Sequence, residues 1–463
     1  MTELPPLHLD RAGSEPLAAQ LADALRAAAA GGALRAGDRL PSTRELAAVL
    51  RVSRTVTAAA YDQLLAEGWV EGRVGAGTFV TAVPAAGPAP GPEPRREAAD
   101  ERLRIELRPG TPCTEVLDRA AWRRAWRAAA DPEPDLLPRY AGLPGFRAAV
   151  GEHLLRHRGL VARPDEVLAT GGSTGAIAEL ARVLPEGARV AVEEPGYRRA
   201  ADALAAAGLE VVGVPVDAEG LRVEDLPAGL AAVYCTPAHQ FPVGGRMPAA
   251  RRIALVERAR AEGLLVIEDD YDGELRYDVA PLPLLAALGP DVVAHVGTAS
   301  KILTPTLGVG WLVAPPAVRA AVAERRERTG SRPAPAGQRV FAAFATSGDL
   351  ARHLRRLRRE LGERRRLLVE ALAGVPLRGD RAGAHVLVPL PDAATARAVQ
   401  AAAAERGVGL EVLERYAGAE AAGGIVIGYA GSPRAEFTAA LPVLAAVLDG
   451  RCAAGLTELS NGR

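Results

Sequence analysis

Of the 56 lysine and arginine residues in this 463-residue chain, a single one is lysine, Lys301. Cysteine is scarce as well. Cys113, Cys235 and Cys452 are far apart and odd in number, which argues against a disulfide framework and a zinc site and fits a reducing cytoplasm. Aromatics make up 4% of a chain that is 49% hydrophobic, so the core must be packed from Leu, Val and Ala. Formal net charge is zero, 56 basic against 56 acidic residues, so bulk charge announces neither nucleic acid nor a membrane surface. There is no signal-peptide pattern at the polar N-terminus and no apolar run long enough to span a bilayer. No metal site is expected, and the length is that of two or three domains.

Against this background the one lysine stands out. A bias that turned every exchangeable lysine into arginine leaves lysine where arginine cannot serve. Arginine stays protonated, whereas lysine can lose its proton and attack a carbonyl. The main task that requires a primary amine is Schiff-base formation, and pyridoxal phosphate (PLP) is the obvious carbonyl partner. The bland alternative, a leftover surface lysine, is weighed against the flanking motifs below.

Residues 7–80 read as three helices and a hairpin. Pro16 to Ala30 carries Leu17, Leu21 and Leu25 on one face. Ser42 is an N-cap for a second helix, with Glu45 as its capping-box partner and Leu46, Val49 and Leu50 as its inner stripe. Ser53 caps a third helix to about Glu67, with Val56, Ala60, Leu64 and Leu65 facing inward. Gly68 to Val80 reads as two short strands around a Gly-rich tip. The order is that of a winged helix-turn-helix.

Residues 1–80 hold eight arginines against nine acids, so any positive surface must be local. Arg44, Arg54 and Arg73 fall at the starts of helices two and three and on the wing, where such a fold meets phosphates and groove. Ser53, Arg54, Thr55 and Thr57 are candidates for base edges and nearby phosphates. Gly75 and Gly77 would let the wing backbone approach a duplex. Taken singly, each arginine reads as an ordinary solvated charge. Taken with Leu40-Pro-Ser-Thr-Arg-Glu-Leu-Ala47, Val52-Ser-Arg-Thr-Val56 and Gly75-Ala-Gly-Thr-Phe-Val80, the segment resembles the GntR family of bacterial transcription regulators, which implies DNA binding.

Residues 81–104 are a Pro-rich and then charged linker, either a passive spacer or a tether that transmits a state change. Residues 105–450 alternate apolar runs with Ala/Leu/Arg helices. Strands are expected at 190–192, 209–214, 231–234, 264–267 and 292–296. This is an α/β pattern with a mostly parallel, buried sheet. A C-terminal α+β portion follows, with a helix near 350–371 and strands near 385–390 and 424–429. The arginine-dense run 355–366 reads as a solvated helix face.

Several stations here carry chemistry. Thr170-Gly-Gly-Ser-Thr174 leads a strand into a helix and offers backbone amides to a phosphate. Glu193-Glu-Pro-Gly-Tyr197 ends a strand with an aromatic ring. Glu268-Asp-Asp-Tyr271 ends another with acids and a tyrosine; a carboxylate against a pyridinium nitrogen keeps such a ring electron-withdrawing. This set resembles the fold-type I aminotransferases. Joined to the GntR-like head, it resembles the MocR/GabR subfamily of PLP-dependent regulators. By position the resemblance assigns Lys301 to the Schiff base, Asp269 to the pyridine nitrogen and Tyr271 to the phenolate oxygen. Tyr197 is assigned to the ring face. Gly172, Ser173 and Thr174 match the phosphate turn, Ser300 sits beside the lysine, and His239 and Gln240 lie on the bordering loop.

The pattern also departs from the family. Gly308 stands where a phosphate-binding arginine is usual, seven residues after the lysine. Losing a charge-assisted contact of roughly 1.5–3 kcal/mol should weaken cofactor binding by about tenfold or more. Val243 replaces a usual threonine or serine, and the 424–429 strand has no arginine to hold a substrate carboxylate. Arg199 and Arg415 are the candidates for that role. The resemblance implies a cytoplasmic homodimer, with each head packed on the other subunit, that senses an amine, an amino acid or PLP itself. Two alternatives stay open: a working aminotransferase with a DNA-binding appendage, and a regulator that has lost its cofactor.

Overall fold

The structure, a computed structural model, describes residues 5, 7–73, 75–81, 104–133, 135–277, 283–417, 423–449 and 451. Apart from its two end residues, the linker expected at 81–104 lies outside them, as do Val74 of the wing and Cys452. The chain divides into two compact units, residues 1–97 and 98–463.

In the first unit, α1 (Leu17–Ala30), α2 (Thr43–Leu50) and α3 (Arg54–Ala66) pack together, followed by the antiparallel wing strands β1 (Val70–Arg73) and β2 (Gly77–Val80). The expected capping box is present: Glu45 N–H donates to Ser42 Oγ at 3.2 Å and Ser42 N–H donates to Glu45 Oε2 at 2.8 Å. Ser53 caps α3 in the same way, accepting from Val56 N–H at 3.3 Å. α2 ends at Leu50, and the way that end is capped was not foreseen. Arg51 is left-handed, with φ +53°, and the Arg11 guanidinium donates to the Leu50 and Arg51 carbonyls at 3.0 and 2.8 Å. Those carbonyls would otherwise lack helical partners.

Two inward assignments fail. Val49 is 74% exposed and Leu65 40% exposed. At about 100° per residue, Leu46, Ala47 and Leu50 centre the inner stripe of α2 and put Val49 roughly 110° away. On α3, Thr57, Ala60, Tyr61 and Leu64 take the inner face, leaving Leu65 about 90° off it. Val56 is half-buried.

The second unit is built on a sheet whose order is β4-β11-β10-β9-β8-β5-β6-β7. The strands are β4 (Val167–Thr170), β5 (Arg189–Glu194), β6 (Glu210–Asp217), β7 (Gly220–Leu221), β8 (Ala232–Cys235), β9 (Leu265–Asp270), β10 (Val293–Thr298) and β11 (Gly310–Val313); β3 (Ile105–Glu106) lies outside this sheet. The ladder from β10 through β9, β8 and β5 to β6 is parallel; β11 runs antiparallel to β10 and β4, and β7 antiparallel to β6. Apolar clusters lie on both faces, as a mostly parallel sheet requires. In the C-terminal portion, β13 (Val408–Gly409) pairs with β3, and β12 (His385–Pro389), β15 (Gly424–Gly428) and β14 (Glu411–Val412) form a small sheet.

Close packing between β10 and β11 needs glycine. A Cβ on Gly297 would lie 2.1 Å from Trp311 Nε1, and one on Gly310 2.8 Å from Gly172 Cα. Gly297→Ala is therefore expected to lower stability by roughly 1–3 kcal/mol through overpacking, read as a lower thermal midpoint of the full chain.

The arginine run at 355–366 is only partly a solvated face. Arg364 is fully buried, donating to the Tyr429 and Ser432 carbonyls and pairing with Glu115 and Glu360. Arg358 donates to the Glu274 carbonyl at 2.6 Å. Buried guanidinium groups persist because their fork of donors is satisfied by carbonyls and carboxylates.

Candidate functional site

The parallel strands end on one edge, and the chemistry gathers there. Register sets it out: Thr170 of β4 lies beside Gly310 of β11, which lies beside Thr298 of β10, while Asp270 of β9 lies beside Gly297. The turn at Gly172, the lysine loop and the acidic strand end are thereby brought together from distant parts of the chain.

Strand alternation sorts the acids of β9. Glu268 accepts from the Leu285 and Ala286 amides at 2.7 and 3.0 Å. Asp270 takes a bidentate bond from buried Arg158 at 2.6 and 2.8 Å. Asp269 alone points the other way. Its Oδ2 accepts from Tyr234 Oη at 2.8 Å, and its Oδ1, fully buried, has no hydrogen-bond partner among the described residues. Burial pushes the Asp269 carboxyl up to about 7, against the Tyr234 hydrogen bond that favours its anion. A buried carboxylate oxygen without a donor is a demand for a cation or an N–H.

Lys301 follows β10, and its Nζ donates to the Gly110 carbonyl at 2.5 Å. Burial holds the amine below the ordinary lysine range, against the pull of the Asp272 and Asp269 carboxylates, and the charge of Arg199 adds to the lowering. Ser300 N–H donates to Thr298 Oγ1 at 3.2 Å, and the two hydroxyls lie 3.0 Å apart. Across the strand edge, Gly172 with φ +100° opens the helix Ser173–Ala181, leaving its first amides free of intrahelical partners. Tyr197 Oη lies 3.2 Å from Thr174 Oγ1, which fixes the ring beside that turn. Tyr271 Oη donates to the His239 carbonyl at 2.9 Å and lies 3.2 Å from His239 Nδ1. Gln240 Nε2 reaches Glu193 Oε2 at 3.2 Å and the Pro195 carbonyl at 3.0 Å, tying the bordering loop to the end of β5.

The two arginine candidates differ. Arg199, exposed in the first turn of the helix Arg198–Ala205, is close enough for its charge to act on Lys301. Arg415 is held by Glu411 at 3.0 Å, in a turn whose Tyr416 carbonyl accepts from Gly196 N–H. Gly308, with φ +58°, is exposed and brings no side chain toward the phosphate turn.

On the head, Arg44, Ser53, Arg54 and Thr55 are exposed as expected. Arg73 is exposed but engaged, paired with Glu71 at 2.6 Å and lying over the Phe79 ring at 4.7 Å. Gly77, with φ +115°, makes room for an arginine the sequence reading missed: a Cβ there would lie 2.9 Å from Arg39 Nε. Thr57 is a correction. It is fully buried, with Oγ1 donating to the Thr43 carbonyl at 2.8 Å and in reach of the Arg54 carbonyl at 3.0 Å. It locks α2 to α3 and cannot touch a base. Thr57→Val, which leaves those carbonyls without the hydroxyl, is expected to destabilise the head by about 1–3 kcal/mol, measured by thermal melting, while DNA affinity of the folded protein is unchanged.

Residues 105–441 match the aminotransferase class I and II family, and residues 17–80 match the bacterial regulatory proteins of the gntR family. The HTH-type pyridoxine biosynthesis transcriptional regulator PdxR of Corynebacterium glutamicum is 37% identical over 420 residues, covering 89% of this chain and 91% of that protein. The probable rhizopine catabolism regulatory protein MocR of Rhizobium meliloti is 34% identical over 386 residues, 78% of each. The chain belongs to the MocR subfamily of GntR-type regulators. Among solved structures, a kynurenine aminotransferase of Pyrococcus horikoshii superposes with TM-score 0.68 at 25% identity, covering 75% of this chain and 91% of that one. This MocR-subfamily chain is thus an HTH-type transcription regulator with an aminotransferase-like domain.

Aminotransferases of this class depend on PLP, and the residues present suit it. The partnerless Asp269 oxygen suits a protonated ring nitrogen, the amides at Gly172–Thr174 suit a phosphate, and Lys301 supplies the amine. The sequence reading missed Tyr234, Asp272 and His385. Tyr234 had a signal, a tyrosine inside an apolar strand whose hydroxyl needs a partner when buried.

Proposed function

We propose that the protein is a cytoplasmic, DNA-binding regulator whose large domain holds PLP on Lys301 and reads out PLP supply, or an amine that competes for PLP. When bound, the cofactor supplies the aldehyde with which the Lys301 amine condenses. The buried Oδ1 of Asp269 carries the reading, because it has no hydrogen-bond partner among the described residues. In this reading Asp269 holds the proton of the ring nitrogen, and the amides of Ser173 and Thr174 with the Ser300 hydroxyl hold the phosphate. Tyr271 would hold the ring's phenolate oxygen, and Tyr197 would border the ring. Burial keeps Lys301 able to shed its proton. Arg199 is favoured over Arg415 as the anchor for an effector carboxylate, because Arg415 is already paired.

PLP itself is the favoured effector. Exposed Gly308 forgoes the phosphate arginine, so occupancy would follow the free cofactor level, and a pyridoxine biosynthesis regulator is among the relatives. The lack of arginine in β15 weighs against efficient transamination. Leu136 and Leu137, 95% and 73% exposed on the segment before Pro144, support a second copy covering them. Fluorescence anisotropy of operator DNA with and without PLP tests the reading: affinity that does not respond to PLP or to any amine would sink it. Gly308→Arg is expected to tighten PLP binding by about tenfold or more, for a contact of roughly 1.5–3 kcal/mol, and to lower the stability of the free protein by roughly 1–2 kcal/mol for arginine in a left-handed conformation. Absorbance titration measures the outcome.

A further inference from the structure

We propose that His239, Asp272 and His385 form a binding site for one divalent cation of the zinc class, beside Tyr271. The three come from different segments: the loop after β8, the loop after β9 and the start of β12. All are at least 96% buried. One ligating atom from each lies within 4.8 Å of the other two.

The hydrogen bonding leaves acceptors and no donor. His239 Nδ1 is 2.9 Å from Asp272 Oδ2, and the His385 ring bonds to the Pro242 carbonyl. Three buried atoms of the cluster then have no hydrogen-bond partner among the described residues: His239 Nε2, Asp272 Oδ1 and His385 Nε2. Two imidazoles with ring centroids 4.6 Å apart, each with an unanswered nitrogen, beside a half-answered carboxylate, ask for positive charge. The backbone has been cleared to let them meet. A Cβ on Gly383, whose φ is +64°, would lie 2.4 Å from both Asp272 Oδ2 and His239 Cε1.

Two imidazoles and a carboxylate are the ligand set of a three-coordinate zinc site with one position open. Bonds of about 2.0–2.2 Å put tetrahedral ligand atoms about 3.3–3.5 Å apart. The side chains must therefore close by about 1 Å, within the reach of small rotations. The Pro242 carbonyl would orient His385 as an outer partner of the kind metal-bound histidines use. The few cysteines pointed away from zinc, and none of these ligands is a cysteine. Such an ion would tie the small sheet to the large one. The proposal stands whether or not Lys301 carries PLP.

The test uses the full chain, stripped with chelator and kept free of PLP, then loaded with Zn2+ or Co2+, dialysed and analysed for metal. One equivalent per chain is expected, with tetrahedral Co2+ absorption and a higher thermal midpoint. His385→Gln and Asp272→Asn should each weaken binding at least tenfold. Less than half an equivalent in the wild type overturns the proposal, as does a sulfur-to-cobalt charge-transfer band, which would move the ion to a cysteine. So does unchanged affinity in variants that keep the wild-type circular dichroism. If both variants misfold, the wild-type stoichiometry and cobalt spectrum still decide.

Discussion

Lys301→Ala is expected to eliminate the borohydride-reducible PLP adduct at the active centre completely. The wild-type chain, reduced after addition of PLP, should gain one adduct by intact mass, and peptide mapping should place it on Lys301. The chain offers only one other primary amine, the α-amino group, so the experiment has almost no background. The physical argument rests on protonation. Burial lowers the affinity of the Lys301 amine for its proton, so the nucleophilic neutral form is present at lower pH than for an exposed lysine. The rate of adduct formation should rise with pH and level off below the ordinary lysine range. Wild-type protein that takes up no label at saturating PLP would refute the cofactor assignment, and the large domain would then be a scaffold for another ligand. Lys301→Arg should behave as Lys301→Ala does, because a guanidinium keeps its charge and cannot condense.

Asp269→Asn should weaken PLP binding by on the order of a hundredfold, the scale of removing one partner from a buried ion pair. The substitution keeps the shape and an acceptor for Tyr234, and it removes the charge that the unpartnered Oδ1 offers. A second readout separates this from simple damage. Without PLP, the Asp269 carboxyl sits near 7 in the folded chain against its ordinary 3.8, so the folded state binds a proton that the unfolded state has released. The wild-type protein therefore loses stability as pH rises from about 4 to about 7, and the full penalty remains above that. Asparagine does not ionise. PLP-free Asp269→Asn should melt above the wild type at pH 8, and the gap should close as pH falls toward 4. A variant that melts lower at every pH would make Asp269 a structural residue.

Local signals were the most legible in the sequence. The Ser42 and Glu45 box and the Ser53 cap follow from spacing, whereas Asp269 was singled out from three consecutive acids by the family resemblance alone, and its separation from Glu268 and Asp270 by strand alternation came with the structure. The parallel strands were visible as short apolar runs, but β11 was not. Its Gly-Val-Gly-Trp approach hides a strand in which Gly310 is required because a Cβ there would meet the Gly297 carbonyl and Gly172, and Gly297 of the neighbouring strand is required because one there would meet Trp311. Helix faces misled where an apolar residue stood at the edge of the stripe, as with Val49 and Leu65. Thr57 was misread because its position near the start of α3 fits a groove contact as well as a buried hydroxyl bond. The meeting of His239 with Asp272 and His385 could not be read at all. It depends on loops from separate strands arriving at one place, and no local pattern encodes that.

The strand order also sets a timetable for synthesis. β4, which delivers the Gly172 turn, has β11 as its one neighbour in the sheet, and β11 is about 140 residues further along. A chain still on the ribosome can pair β5, β6 and β8 as they appear, whereas β4 must wait, apolar and unpaired, until residue 313 is out. The late strand completes both halves of the pocket at once. A nascent protein truncated before β11 would expose a sticky edge and have no formed cradle, which makes this stretch the place where chaperone demand should be greatest.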